Sequence, residues 1–242
     1  MYTRDKQNMK FRNINGWQLL ADEMDQSMLS HAEKHKPQKF RAWHGNFIDD
    51  IIDLYLHPDC QKRTAIDIGA SYGWMTIPFA QHFQNVYAFE LLPEVAECLE
   101  YNTRRLSNVS VGKTGLSFEK ANVHVQRQPA TGLTTIGGGE RSKLLPVTTL
   151  DQYNLTNVDL IKLDVEGHEL SVLKGAKNIL TNNSPVVIAE CHAVGRPRHD
   201  LITRQNLIQF LSSFGYNIID IRGHDFIFSK MASNIANYLN QM

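Results

Sequence analysis

The sequence predicts an α/β fold whose mostly parallel sheet carries helices on both faces. Short apolar runs of strand length occur at 64–68, 158–164 and 185–190, and segments with helical spacing of apolar residues lie between them. Alternation of this kind is typical of parallel sheets, because two parallel strands need a long crossover connection. The last two runs, at 216–221 and 225–229, are joined by a short turn, so they predict a terminal antiparallel pair.

Composition sets the size and charge of the protein. The chain has 242 residues, of which 42% are hydrophobic and 21% charged, and this length fits one α/β domain with an N-terminal extension. We predict the extension at 1–45 and the main domain at 46–242. Lys and Arg together number 25, as do Asp and Glu, so the formal charge is zero. This balance gives no reason to expect nucleic acid or an acidic membrane as a partner.

Cysteine usage and hydropathy indicate the compartment. Cys60, Cys98 and Cys191 are isolated, and a sparse, odd cysteine count is typical of a reducing environment. The first residues are polar and lack the apolar run of a signal peptide. No stretch approaches the roughly 18 consecutive apolar residues of a membrane span. We therefore expect a cytoplasmic protein with no membrane partner.

The N-terminal extension is polar and mixed, and we expect helical pieces and loops in it. Residues 32–45 are rich in Lys, Arg and His, so they form either a solvated connector or a lid over a site. After the extension, Phe47, Ile51 and Leu54 follow the spacing of an amphipathic helix.

A strand–helix–strand unit comes next. Apolar runs at 64–68 and 86–90 flank a helix-sized segment at 74–83, which is the size of a βαβ unit. A helix at 93–106, beginning at a proline, and a weak strand at 109–113 continue the alternation.

The second half of the chain repeats the alternation after an interruption. Alternating residues at 123–127 predict a partly exposed strand, and the Gly- and Thr-rich segment 129–145 predicts a loop. One helix is expected after the strand at 158–164, marked by Leu170, Leu173, Ala176 and Leu180. The last helix is marked by Leu207, Leu211 and Phe214 and ends at Gly215.

The turn that follows the strand at 64–68 is the first candidate binding site. Gly69, Ala70 and Gly73 are small enough for a ligand to approach the backbone, and the following helix offers free N–H groups. Asp67 precedes the turn, which suits a cationic group better than a pyrophosphate, and the spacing is not that of the dinucleotide-binding GxGxxG motif. An ordinary strand-to-helix turn is the alternative.

Acidic residues follow the other strands at the same predicted edge. Glu90 ends the second strand, where a carboxylate can accept hydrogen bonds from ribose hydroxyls. Asp164 and Glu166 follow the strand at 158–164, and ligands of open α/β sheets lie beyond the carboxyl ends of strands. We expect Glu169 to cap the next helix and His168 to be a surface helix residue.

The strand at 185–190 ends in Glu190, Cys191 and His192. The imidazole of His192 has an ordinary pKa near 6.5, which suits it to accept a proton at neutral pH. Glu190 has three possible roles: it holds His192, binds substrate, or joins Asp164 as a ligand of magnesium.

These motifs resemble those of the FkbM-family methyltransferases. The resemblance covers about residues 62–230, and its most specific string is DLIKLDVEGHELSVLKG at 159–175. Three further matching strings are AIDIGASYG at 65–73, YAFE at 87–90 and VTTLD at 147–151.

The resemblance implies a class I methyltransferase fold, which is Rossmann-like, with a seven-stranded, mostly parallel sheet and a C-terminal antiparallel strand. It also implies S-adenosylmethionine as cofactor and methylation of a hydroxyl on a sugar or another small metabolite. By the match, Asp67, Gly69 and Gly73 line the methionine end of the cofactor and Glu90 holds the ribose. The cofactor-binding set is Asp67, Gly69, Ala70, Ser71, Gly73, Glu90, Leu116 and Ser117, of which Leu116 and Ser117 fall where the adenine is held.

For catalysis we predict a direct displacement with His192 as the base, Asp164 orienting substrate or cofactor, and Glu166 beside them. No metal is part of this prediction. Two alternatives stay open: a magnesium-dependent enzyme similar to catechol O-methyltransferase, with Asp164 and Glu190 as ligands, and a nicotinamide-dependent dehydrogenase. Nucleic acid is not expected as the acceptor, because no Asn/Asp-Pro-Pro-aromatic string follows the fourth strand.

Overall fold

The fold is described from a computed structural model that covers residues 11–20, 30, 32–37, 47–56, 60–127, 134–136, 142–191 and 198–230. The strands are β1 (Phe11–Ile14), β2 (Trp17–Leu20), β3 (Thr64–Ile68), β4 (Asn85–Phe89), β5 (Val109–Gly112), β6 (Gly115–Leu116), β7 (Ala121–Arg127), β8 (Thr134–Ile136), β9 (Lys143–Thr148), β10 (Val158–Leu163), β11 (Val186–Glu190), β12 (Asn217–Arg222) and β13 (Asp225–Ser229). The helices are α1 (Phe47–Tyr55), α2 (Thr76–His82), α3 (Pro93–Thr103), α4 (Glu169–Lys174), α5 (Lys177–Asn182) and α6 (Arg198–Ser213). Among these helices, none combines the length and the apolar character needed to cross a membrane.

The main sheet has seven strands in the order β12-β13-β11-β10-β3-β4-β5. The five strands from β11 to β5 are parallel to one another, and β13 runs antiparallel to both of its neighbours, β11 and β12. This confirms the predicted seven-stranded, mostly parallel sheet and its antiparallel C-terminal strand.

The central strands are buried on both faces, which explains their continuous apolar character. Every residue of β3 and of β10 is buried. One face of the sheet packs against α4, α5 and α6 through residues such as Val172, Ile179 and Leu211. The other face packs against α1 and α2 through residues such as Ile51 and Phe79. Helices therefore cover both faces, as the alternation predicts.

A second sheet, of order β6-β9-β7-β8, occupies part of the segment that the sequence predicts as a loop. The prediction of a loop over 129–145 is wrong for β8 and for the start of β9. In β9, Leu145 and Val147 are buried whereas Leu144 and Pro146 are exposed, which is the alternation of a strand with one covered face. The glycine and threonine content of the surrounding residues conceals this short pattern.

The described part of the N-terminal extension contains a β-hairpin rather than only helical pieces and loops, so that prediction is corrected. β1 and β2 pair around a two-residue turn in which Asn15 and Gly16 have φ values of 50° and 96°. Two successive positive φ angles define the turn type that joins tightly paired strands, and Asn-Gly is its preferred sequence. Of the segment predicted as a connector or lid, residues 38–45 lie outside the described part of the chain.

The single helix predicted after β10 is instead two helices, α4 and α5, which are separated at Gly175. A Cβ atom at Gly175 would lie 2.0 Å from the Ser117 carbonyl oxygen, so the helix end is pressed against the backbone that follows β6. The Asp151 carboxylate then accepts hydrogen bonds from the Asn178 and Ile179 amides, at 2.9 and 3.1 Å. These contacts start a new helix, because free N–H groups at a helix N-terminus are satisfied by a nearby carboxylate.

Candidate active site

The candidate site lies where β3, β4, β10 and β11 end, at the carboxyl edge of the parallel sheet. The register pairs Ile68 with Phe89 on one side and with Leu163 on the other, so the residues after these strands emerge side by side. Leu163 in turn pairs with Ala189, one residue before Glu190. This edge is where open α/β sheets bind their ligands.

The glycine turn after β3 lies directly against the end of β10. Gly69 has φ +81°, and a Cβ atom there would lie 1.8 Å from the carbonyl oxygen of Asp164. The Asp164 amide donates to the Ile68 carbonyl at 2.9 Å, and the amides of Gly69 and Ala70 both donate to the Phe89 carbonyl at 3.0 Å. Only glycine permits this approach, which brings the turn and the acidic loop together.

Glu90 braces the turn from the end of β4. Its two carboxylate oxygens accept hydrogen bonds from the Ser71 amide at 3.0 Å and the Leu92 amide at 2.9 Å. Ser71 has φ +51°, a conformation that is unusual for a non-glycine residue, and the bond to Glu90 holds it there. Each carboxylate oxygen can accept more than one hydrogen bond, so Glu90 can still accept from ribose hydroxyls.

Asp67 supplies a buried acidic group beneath the turn. Its carboxylate accepts a hydrogen bond from the Thr76 hydroxyl at 2.5 Å, and the residue is only 2% exposed. Burial raises the pKa of Asp67 to about 6, against the lowering effects of the Thr76 hydrogen bond and the charge of Lys162. Asp67 therefore changes its charge in the mildly acidic range.

Leu116 and Ser117 are buried and lie next to the end of β4. A Cβ atom at Gly115 would lie 2.7 Å from the Leu91 side chain, so the chain after Glu90 packs onto the start of β6. The Ser117 hydroxyl lies 3.0 Å from His168 Nε2. His168 is half-buried, which corrects its prediction as a surface helix residue, and burial lowers the pKa of its imidazole.

Three carboxyl groups converge where β10 and β11 end. Oxygen atoms of Asp164, Glu166 and Glu190 all lie within 4.8 Å of one another. Burial, a hydrogen bond to Asp164 and the negative charges of Asp164 and Glu166 all raise the pKa of Glu190 well above its ordinary value. These surroundings favour the protonated, neutral form of Glu190 over its carboxylate.

A buried lysine offsets part of this negative charge. Lys162 is on β10, its side chain is 5% exposed, and its Nζ lies 3.0 Å from Asp225 and 3.5 Å from Asp164. Burial opposes the charge of the ammonium group, but Asp164, Asp225 and Glu190 outweigh it and raise the pKa of Lys162. The cation beneath the carboxyl groups therefore stays charged.

The loop after β10 presents Glu166 to this acidic cluster. Glu166 has φ +56° and Gly167 has φ +96°, so the chain reverses within two residues. The buried Glu169 carboxylate accepts hydrogen bonds from the Val165 amide at 3.2 Å and the Gly167 amide at 3.1 Å. Val165 and Gly167 both precede α4, so these bonds fix the loop before the helix, and the expected capping of the helix by Glu169 stays a prediction.

The structure brings most of the predicted site residues to one edge. The turn residues, Glu90, Asp164 and Glu166 lie together there, whereas His192, the predicted base, lies outside the described residues. The predicted catalytic set omits Glu190 and Lys162. A lysine within an otherwise apolar strand, as in the run VDLIKL, is the signal that points to Lys162, because a buried charge requires partners.

A sheet of this order, with a small-residue turn after the central strand β3 and an acid after β4, is typical of the class I methyltransferase fold. The family model described as "Methyltransferase FkbM domain" matches residues 67–218, which is more than half of the chain. The chain belongs to the FkbM methyltransferase family, and the resemblance seen in the sequence is confirmed. The nicotinamide-dependent dehydrogenase alternative is thereby set aside.

One curated relative is the hexuronic acid methyltransferase AglP of Haloferax volcanii. It is 28% identical over 155 residues, which cover 62% of this chain and 64% of the relative. The chain thus matches somewhat less than two thirds of the length of that relative.

Two solved structures share the fold. The methyltransferase FkbM from Methylobacillus flagellatus superposes with a TM-score of 0.53 at 20% identity, over 86% of this chain and 55% of that one. Fibrillarin of Aeropyrum pernix, solved with natively bound S-adenosyl-L-methionine, superposes with a TM-score of 0.50 at 13% identity, over 94% and 84% of the two chains.

The residues at this edge fit S-adenosylmethionine. Asp67 would offer a negative charge near the ammonium end of the cofactor, and Glu90 would offer hydrogen-bond acceptors to a ribose. The missing side chains of Gly69 and Gly73 face protein atoms, the Asp164 carbonyl and the Leu99 side chain, so both glycines serve the close packing of the turn. S-adenosylmethionine supplies an electrophilic methyl group on a sulfonium when it is bound.

Replacing Gly69 by alanine tests the close approach of the turn to β10. We expect Gly69→Ala to lower the free energy of unfolding by roughly 2–5 kcal/mol, because a positive φ and a clash with the Asp164 carbonyl are both imposed. Gly215→Ala is the control, since Gly215 has φ +84° and a Cβ atom there would meet no other atom within 4 Å. That variant should lose only about 1–2 kcal/mol in urea unfolding. Equal losses in the two variants would contradict the contact.

The raised pKa of Asp67 predicts a pH dependence of cofactor binding. Asp67 becomes protonated as the pH falls through about 6 and would then no longer attract the ammonium group of a bound cofactor. We expect calorimetry to show S-adenosylhomocysteine binding about tenfold more weakly at pH 5 than at pH 7.

The raised pKa of Asp67 has the opposite effect on the stability of the free protein. It favours the folded state below the ordinary carboxyl pKa of 3.8, and this contribution to stability is lost as the pH rises through about 6.

Asp67→Asn should abolish most of this pH dependence and bind weakly throughout. The control Asp159→Asn removes a carboxylate that pairs with Arg63 near the start of β3, so it should keep the wild-type pH profile. A wild-type profile in Asp67→Asn would show that another group is responsible.

Proposed function

We propose that this chain transfers a methyl group from S-adenosylmethionine to a hydroxyl of a saccharide or similar small metabolite. The observation that carries the proposal is the acidic cluster of Asp164, Glu166 and Glu190 beside the glycine turn. A hydroxyl must lose its proton as it is methylated, and a carboxylate of this cluster would accept that proton.

Asp164 is the carboxylate best suited to accept the proton. Its side chain is 42% exposed, so an acceptor can reach it, and Lys162 lies 3.5 Å away and favours its ionised form. Glu190, whose pKa is raised by burial and by the neighbouring carboxylates, hydrogen-bonds to Asp164 and would orient it. His192 remains a proposed base for the same step, as the sequence predicts.

The negative charge of the cluster also favours one kind of methyl acceptor over another. A carboxylate acceptor needs no base and would be repelled by Asp164 and Glu166, whereas a neutral hydroxyl would be hydrogen-bonded by them. The relative AglP is a hexuronic acid methyltransferase, so a uronic-acid saccharide is the first substrate to test. We expect one of its hydroxyls to be methylated.

Most of the rate enhancement would come from orientation. Holding a hydroxyl and a methyl donor in line can supply on the order of 7–11 kcal/mol. The rigid contact between the Gly69 turn and the loop after β10 suits this role, because it fixes the distance between the cofactor turn and Asp164.

A magnesium-dependent mechanism is the second candidate, and the same cluster favours it. Asp164, Glu166 and Glu190 offer three hard oxygen ligands within 4.8 Å, which is a set that magnesium accepts. Glu190 would then have to lose its proton, and the charge of Lys162 would oppose the ion. The two mechanisms thus differ in whether Glu190 must be ionised.

The test is transfer of a labelled methyl group to saccharides. We expect methyl transfer to uronic-acid and neutral sugars, with a product that survives mild alkali, because methyl ethers are stable whereas methyl esters hydrolyse. Turnover should persist in EDTA. An alkali-labile product would contradict hydroxyl methylation, and absence of transfer to any hydroxylated acceptor would contradict the proposed function.

A pair of isosteric variants separates the two mechanisms. Asp164→Asn should lower kcat by about a hundredfold, since it removes the proton acceptor. Glu190→Gln should stay within a few fold of wild type, since an amide preserves a neutral donor to Asp164. If both variants and EDTA abolish turnover alike, the magnesium-dependent mechanism is correct instead.

A further inference from the structure

The β1–β2 hairpin is joined to the cofactor turn by one buried side chain, Asn102. Its Nδ2 donates hydrogen bonds to the Tyr72 carbonyl at 2.9 Å and to the Gln18 carbonyl at 3.1 Å. Its Oδ1 accepts a bond from the Gln18 amide at 2.7 Å. Asn102 is on α3 and is 5% exposed, so water competes little for these bonds.

The geometry of the hairpin explains why Gln18 is available to Asn102. Ile14 and Trp17 close the two-residue turn, so the next pair, Asn13 and Gln18, is a pair without hydrogen bonds between its members. The amide and carbonyl of Gln18 therefore point away from β1. Asn102 binds both of them, as a neighbouring strand would.

On the other side, Asn102 fixes the last peptide of the cofactor turn. It holds the Tyr72 carbonyl, while the amide of the same peptide, at Gly73, donates to the Ala70 carbonyl at 2.9 Å. Both ends of the Tyr72–Gly73 peptide are thus constrained. Because Gly73 has φ +96°, the orientation of this peptide sets the path from the turn into α2.

Aromatic packing strengthens the same connection. The rings of Trp17 and Trp74 have centroids 4.2 Å apart with an interplanar angle of 35°. Trp17 and Tyr72 are 0% and 1% exposed, and both belong to one apolar cluster with Trp74. Trp17 Nε1 also donates to the His35 carbonyl at 2.7 Å, which fixes the following part of the extension.

We propose that Asn102 is a positioning residue through which the β1–β2 hairpin sets the conformation of the Tyr72–Gly73 peptide and hence the affinity for the cofactor. This inference rests on the proposed function only in that the cofactor binds at this turn. Linkage requires the reverse effect as well, so cofactor binding stabilises the hairpin.

The test compares two asparagine-to-alanine variants. Asn102→Ala should weaken binding of S-adenosylhomocysteine about tenfold by calorimetry and raise the KM for S-adenosylmethionine equally, with kcat within twofold of wild type. Asn108→Ala is the matched control, because Asn108 Nδ2 also donates to two backbone carbonyls, those of Ala80 and Phe83, both at 2.9 Å. The control should lower Tm without changing cofactor affinity.

A second measurement uses the wild-type chain and does not depend on a variant folding. Amide hydrogen exchange at β1 and β2 should slow when S-adenosylhomocysteine is added, whereas exchange in the β12–β13 pair should not. Trp17→Phe, which keeps an apolar ring but loses the bond to His35, should reduce that protection.

The inference is overturned if Asn102→Ala binds the cofactor as tightly as wild type, or if both asparagine variants weaken binding equally. It is also overturned if amide hydrogen exchange at β1 and β2 has the same rate with and without S-adenosylhomocysteine. None of these results would bear on the acceptor, because binding and exchange are measured without any saccharide. Failure of the proposed hydroxyl methylation would in turn leave these affinities unchanged.

Discussion

The close approach of Gly69 to the carbonyl of Asp164 is the contact on which the site depends. The absence of a side chain lets the end of β3 press against the end of β10, where a Cβ atom would come within 1.8 Å of an oxygen. The Phe89 carbonyl then binds two amides of the turn, and Glu90 binds a third. The turn at 69–73 and the acidic loop after β10 are therefore parts of one edge, and their spacing is set by backbone contacts rather than by flexible side chains.

Charge is distributed at this edge so that one buried cation serves several acids. Lys162 lies between Asp164 and Asp225. Its positive charge also opposes the rise that burial causes in the pKa of Asp67. Without this cation, burying the Asp67 carboxylate near Asp164 would lower the free energy of unfolding. The same surroundings raise the pKa of Glu190, and the proposed mechanism uses the resulting difference between Glu190 and Asp164, which lies beside Lys162.

The sequence predicts the central sheet well because β3, β4 and β10 are local apolar runs that end in recognisable motifs. It also predicts which residues meet at the edge, since parallel strands share their carboxyl ends. The hairpin is not predicted, although Asn15-Gly16 is a strong local signal for one. The polar composition of residues 1–45 predicts helical pieces and loops instead. The break at Gly175 and the raised pKa of Glu190 could not be predicted, since each depends on residues distant in sequence, Ser117 and Asp164.

A crystal structure with S-adenosylhomocysteine bound would show whether the ligand lies at this edge of the sheet. We expect the methionine end of the ligand to lie over residues 69–73, Glu90 to contact the ribose hydroxyls, and the sulfur to face Asp164. We also expect no change in the contact between Gly69 and the Asp164 carbonyl on binding. A ligand whose sulfur lies away from this edge, or an Asp164 carboxylate directed away from the methyl position, would contradict it.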